Sequence, residues 1–252
     1  MEKFQKHLVS AGFVTDNFQN ETYLNHAEMS LKSLIDMGIQ SDNGFVCDPF
    51  NALGVTYTGK KLQLFYYHAE ARFCGALGQL IKAGRMIEYA DSLYLSYNHL
   101  MKMLAYDFEP SYYAEFWIKE LVFAYQGLKA VNYPKLDRDL WETITWRKYG
   151  FHYFNNYHNG VAYAIASEAA MINAGLGGSE TFFDEWVTVL FDSFNQKLGM
   201  FLDPGAPMSY DLITRQQILY AIMNGADGEH KEKALELCEL GAVSSLYMQL
   251  EV

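Results

Sequence analysis

The stretch GVAYAIASEAAMINAG, residues 160–175, places alanine or a larger apolar residue on every side of a helical projection. It is broken by one carboxylate, Glu168, and closed by a glycine. A helix that is apolar nearly all round is buried on several sides, so this segment predicts an inner helix rather than a surface one. Three other segments end in the same way: QLIKAG at 79–84, GLKAVN at 127–132 and AIMNG at 221–225, beside MINAG at 171–175. Glycine or asparagine just past a helix end closes it by adopting the left-handed conformation. The closing residues Gly84, Asn132, Gly175 and Gly225 lie 48, 43 and 50 residues apart. A period of that size is the signature of a repeated helical hairpin.

Each inner-type helix has a partner of different character. KSLIDM, EYADS, DRDLWE and DEWVTVLFDS are amphipathic and charged, whereas HAEARFCGALG and GVAYAIASEAA hold more small and aromatic residues and few charges. The expectation is an all-α chain, residues 1–252 forming one domain, with charged helices outside and small-residue helices inside. Individual helices are expected from Thr22 to Gly38, from Leu62 to Gly84, over 87–107, from Ser111 to Asn132, over 135–150, up to Gly175, over 179–199 with Ser179 as cap, over 209–225, and over 229–251. Long connections precede the inner helices: CDPFNALGVTYTG, YDFEPSYY, FHYFNNYHN and MFLDPGAPMSYD. In a hairpin repeat they emerge on one rim, so residues distant in sequence gather in one cleft.

Composition restricts the function. Half of the 252 residues are apolar and 19% are charged, enough for a sizeable core. The net charge of −11 argues against a nucleic-acid surface, which needs clustered lysine and arginine. With 19 Tyr and 17 Phe, the chain is well supplied with rings, and tyrosine suits clefts that are dry at one end and wet at the other. Cys47, Cys74 and Cys238 are odd in number and form no CxxC, which points to free thiols rather than a disulfide framework or structural zinc. No apolar leader or span of 18 apolar residues is visible, and a cytoplasmic protein without membrane partners is expected. HAE occurs at 26–28 and 68–70, but residues two apart do not share a helix face; no metal or cofactor is expected.

Two longer segments, NNYHNGVAYAIASEAAMINAGLG at 155–177 and GMFLDPGAPMSYDLITRQQILYAIMNG at 199–225, resemble the (α/α) toroid of carbohydrate-active proteins, notably heparinase II/III-like polysaccharide lyases. Gly199, Asp203, Pro204, Gly205, Tyr210, Asp211 and Arg215 stand where such proteins tend to carry a glycine, an Asp-Pro-Gly turn, a Tyr-Asp pair and an arginine four residues on. The resemblance implies repeated hairpins in an incomplete toroid, because only four hairpins and a final helix are present. Leu237, Leu240, Val243, Leu246, Tyr247 and Leu250 of that helix then pack back on the fourth hairpin, face a second copy, or await a missing C-terminal part.

The chemistry implied is β-elimination of an acidic poly- or oligosaccharide. Asn155 or Asn156 would donate to the uronate carboxylate, Arg215 would add charge, and His158 or Tyr210 would move protons. The aromatic residues Tyr112, Tyr113 and Trp117 are candidate sugar platforms, with Glu168 and Asp211 as further substrate contacts. Other uses compete. The asparagines suit a helix cap, His158 a loop position, Tyr210 and Asp211 a helix start, and Arg215 an ion pair with Asp211 at i−4. Hydrolysis would need two flanking carboxylates from Asp48, Glu109, Glu115, Asp203 and Asp211, of which Asp48 and Asp203 also suit turns before proline. A non-catalytic toroid that binds glycan or protein is the third reading.

Overall fold

A computed structural model describes residues 20–38, 40, 42, 60–107, 115–144, 158–203 and 207–250. They form α1 (Asn20–Asp36), α2 (Lys60–Lys82), a short 3-10 turn (Ile87–Tyr89), α3 (Ala90–Lys102), a π-helical turn (Met103–Asp107), α4 (Glu115–Ala130), α5 (Asp139–Ile144), α6 (His158–Ala174) and α7 (Phe182–Asp192). A small antiparallel hairpin, β1 (Phe194–Asn195) with β2 (Met200–Phe201), then leads to α8 (Pro207–Met223) and α9 (Lys231–Leu250). The described residues are therefore predominantly helical, as the periodicity requires.

The four helices expected to be inner, α2, α4, α6 and α8, lie side by side in chain order. The charged helices pack against them: α1 on α2, α3 on α2 and α4, α5 on α3, α7 on α6, and α9 on α8. All four inner helices close identically. Gly84 donates to Ile81 O and Arg85 to Leu80 O; Asn132 donates to Lys129 O and Tyr133 to Leu128 O. Gly175 and Leu176 do the same with Ile172 and Met171, and Gly225 and Ala226 with Ile222 and Ala221. All four closing residues have positive φ, from 52° at Asn132 to 95° at Gly225. The paired bonds satisfy carbonyls that the end of a helix would otherwise leave unpaired.

The tightest contact joins α2 and α4. A Cβ on Gly78 would lie 2.5 Å from Phe123 O and 2.6 Å from Ala124 Cα, and one on Gly127 would overlap the carbonyl of Gly78. The two backbones touch, and no side chain fits between them. Leu77, Leu80, Ile81, Leu121, Ala124 and Leu128 flank this seam, fully buried. α5 is tied to the outer face of α3 and α4 through Trp141, whose Nε1 donates to Tyr97 Oη at 2.9 Å and whose ring meets Tyr125 edge-on.

The helix expected over 179–199 ends early, at Asp192. Asn195 Oδ1 accepts the N–H groups of Lys197 and Leu198, and Gly199 N donates to Asn195 O at 2.8 Å. An asparagine that captures the backbone two residues on offers the chain a turn in place of a helix. The cap also differs from expectation: the helix begins after Thr181, and Ser179 N donates to Glu168.

α9 packs on α8 through buried Ala234, Leu237 and Cys238, leaving Leu240 and Val243 exposed. Its N-terminus is capped from α7: Asp184 accepts the N–H groups of Glu229 and His230 at 3.0 and 3.1 Å. Asp184→Ala is expected to cost about 1–2 kcal/mol, the usual range for losing such a cap, measured as a lower urea midpoint at unchanged m-value. Among the described residues no helix is long and apolar enough to cross a membrane.

Candidate functional site

Inner helices that lie side by side turn one face away from the outer layer. On that face each of the four contributes to a single cluster. Lys119 of α4 reaches past α6 to α8, where its Nζ donates to Gln217 Oε1 at 2.6 Å. The ammonium lies 5.9, 5.4 and 5.2 Å from the ring centres of Phe123, Tyr163 and Tyr220, which belong to α4, α6 and α8. Phe123 and Tyr220 meet edge-on at 5.5 Å, and Phe116 tilts against Tyr163 at 4.7 Å. Arg72 of α2 lies near enough to the Tyr163 phenol for its charge to oppose the effect of burial there. Glu120 of α4 faces both cations, with its carboxylate 3.7 Å from Lys119 Nζ.

Burial is graded across the cluster: Lys119 and Gln217 are buried, Glu120 keeps 17% of its side chain accessible, and Arg72 is exposed. A low-dielectric recess disfavours charge. Burial lowers the proton affinity of Lys119, and the nearby Arg72 guanidinium lowers it further. Burial also raises the Glu120 carboxyl, against the opposing pull of Lys119 and Arg72, and it raises the phenols of Tyr163 and Tyr220, so both remain protonated. Three rings around an ammonium stabilise its charge in place.

Just above, two carboxylates flank the first turn of α6. Asp203 accepts the N–H of Asn159 at 3.2 Å. The Glu115 carboxylate lies against Gly160, where a Cβ would sit 3.5 Å from Oε1. Both are buried, and a helix N-terminus favours negative charge there.

The residues expected to carry the chemistry divide three ways. Asn155, Asn156, Tyr112 and Tyr113 lie outside the described residues, as do Asp48 and Glu109. His158 opens α6, but its side chain lies outside them too. Tyr210, in the first turns of α8, is half-buried and close enough to Tyr163 for their charges to interact. The remaining four do not belong to the Lys119 cluster. Arg215 donates from Nε to Asp211 Oδ2 at 2.9 Å and from Nη2 to Ser245 Oγ at 2.6 Å, while Asp211 also accepts the N–H of Phe201. The pair lies over Gly241 of α9 and fastens α8 to the outer helix and the hairpin, which is the i−4 alternative. Trp117 is fully buried in the core and offers no platform to a sugar. Glu168 accepts the N–H of Ser179 at 2.6 Å and anchors the turn after α6. It lines a cavity of about 310 Å³ with Ser179, Phe183 and Asn224, toward the C-terminal ends of α6 and α8.

Arg72, Lys119, Glu120, Gln217, Tyr163 and Tyr220 were not among the expected residues. The signal was present, because Lys119 and Gln217 interrupt apolar inner helices as Glu168 does. Which face each would take was not readable.

A second buried titratable pair lies between α2 and α3. Glu70 is fully buried, and its Oε1 is 2.7 Å from His99 Nδ1. Burial pushes the carboxyl up to about 6, with His99 opposing. A carboxyl raised in the folded state stabilises fully below its unfolded value near 4.5 and loses that contribution as pH rises through the folded value. The difference in unfolding free energy between the wild type and Glu70→Gln should therefore fall by about 2 kcal/mol between about pH 4 and pH 7. Urea titrations of both proteins across that range measure it.

Among the described residues no group of three or more His, Cys, Asp or Glu side chains could hold a metal. Cys74 and Cys238 are free and buried; burial pushes the Cys238 thiol up to about 12 and that of Cys74 well above its ordinary value. Neither thiol is poised as a nucleophile. The chain matches no protein-family model, no curated protein and no solved structure.

Proposed function

We propose that this chain is a carbohydrate-active protein of incomplete α/α-toroid architecture, which takes an acidic saccharide into the recess between its inner helices and cleaves it by β-elimination. One observation carries the reading. In a protein of net charge −11, two cations, an amide and two phenols from four different helices gather in one aromatic cluster.

Elimination from a uronate removes the proton at C5, forms the C4=C5 double bond, and expels the C4 oxygen, which takes up a proton. Arg72 and Lys119 would neutralise the carboxylate and so acidify the C5 proton, an electrostatic role that gains strength in a water-poor recess. Tyr163, kept protonated by burial, would supply the proton to the leaving oxygen. His158 or Tyr210, near the starts of α6 and α8, would take the C5 proton. Tyr220 and Phe123 would form a wall for the sugar ring.

Incubation with heparinoids, alginate, pectins and ulvan tests the reading through the ultraviolet absorbance of the unsaturated product. Absorbance that rises with one of these polymers supports elimination. New reducing ends without that absorbance would replace it with hydrolysis, and binding without turnover with a glycan-binding role.

A further inference from the structure

Resting on that reading, we infer that Glu120 is a built-in counter-anion, stowed between Lys119 and Arg72, which an acidic ligand must displace in order to bind. The position of its carboxylate is prepared by the neighbouring helix. A Cβ at Gly75 of α2 would overlap Glu120 Oε2 and lie 3.1 Å from Glu120 Cβ. The carboxylate thus lies in the niche left by a missing side chain. At Gly78 the obstacle is instead the backbone of α4. Gly78 therefore serves helix packing, whereas Gly75 makes room for one mobile side-chain tip.

The titratable groups around that tip are Arg72 and the Cys74 thiol from α2, Lys119 from its own helix, Tyr163 from α6 and Tyr220 from α8. Only Arg72 and Lys119 are cationic. Glu120 faces both and offsets one of their two positive charges, and it remains 17% accessible. A ligand carboxylate or sulfate seeking those cations meets a like charge there, which weakens its binding until the Glu120 carboxylate moves aside. Neutralising Glu120 removes the competitor and leaves both cations in place. Adding a methyl group at Gly75 evicts the carboxylate without removing its charge.

The test measures binding rather than turnover, by titration calorimetry of wild type, Glu120→Gln and Gly75→Ala with inorganic sulfate, D-glucuronate and D-glucose. Glu120→Gln is expected to bind sulfate and glucuronate about tenfold more tightly than wild type, with glucose unchanged. Gly75→Ala should change anion affinity measurably while unfolding at a similar temperature. The inference is overturned if sulfate affinity is the same in wild type and Glu120→Gln, or if it falls in the variant, as it would were Glu120 a ligand contact. The saccharide reading fails separately: sulfate affinity that rises in Glu120→Gln while glucuronate binds neither protein leaves the counter-anion in place and removes the sugar.

Discussion

Gly127→Val is expected to destabilise the protein by about 3 kcal/mol or more, near or beyond the upper end of the usual range for overpacked cores. The Cβ alone would overlap the Gly78 carbonyl, and two further methyl groups have nowhere to go. The obstruction is main chain within a regular helix, so relief requires α2 and α4 to move apart. That motion would break the apolar seam of Leu77, Leu80, Leu121 and Ala124, all fully buried. A domain of ordinary stability retains only about 5–15 kcal/mol, so the variant should show a large fall in urea midpoint or fail to fold. Gly75→Ala is the internal comparison, since its obstacle is a carboxylate that can rotate away and since alanine is the better helix former by about 1 kcal/mol. Equal costs at the two positions would mean that the seam is not where the backbones touch.

Lys119→Met should lower turnover or binding of an acidic saccharide by about 10²-fold or more, the scale of losing one preorganised charge at a reacting centre. Stability should change by no more than about 1 kcal/mol, because methionine keeps the stem packed among Phe123, Tyr163 and Tyr220 and removes the cost of burying an ammonium. The opposing loss is the hydrogen bond to Gln217, whose oxygen is left without Lys119. These two readouts separate function from architecture. A variant that unfolds readily but, when folded, binds the saccharide as well as wild type would make Lys119 a strut between α4 and α8.

Much of the helical order was legible because it rests on local chemistry. The closing glycines and Asn132 specify their left-handed conformation whatever surrounds them, and the repeated spacing exposes them. The small-residue character of α2 and α6 likewise set them apart from the charged helices that pack on them. The site was less legible, for a reason visible in Lys119 and Arg215. Each is a cation inside an inner helix. Lys119 turns toward the recess, whereas Arg215 turns toward α9, where Gly241 leaves room for it. That choice depends on a glycine 26 residues away in sequence, beyond the reach of any local pattern. Trp117 misled in the same manner, since a tryptophan near a helix start suits both a sugar platform and a core. The early end of α7 was a local error: Asn195 bends the chain within three residues, and the apolar spacing on either side concealed it.

The identical closure of α2, α4, α6 and α8 bears on how the chain reaches this state. Each terminator is written in its own six residues, so a helix knows where to stop before it meets any neighbour. Mistakes in register cannot then accumulate along the polypeptide, since every unit begins its count afresh. Because successive inner helices are also adjacent in space, each new pair needs only a modest loop to be drawn shut, and assembly is free to start at any unit and spread outward.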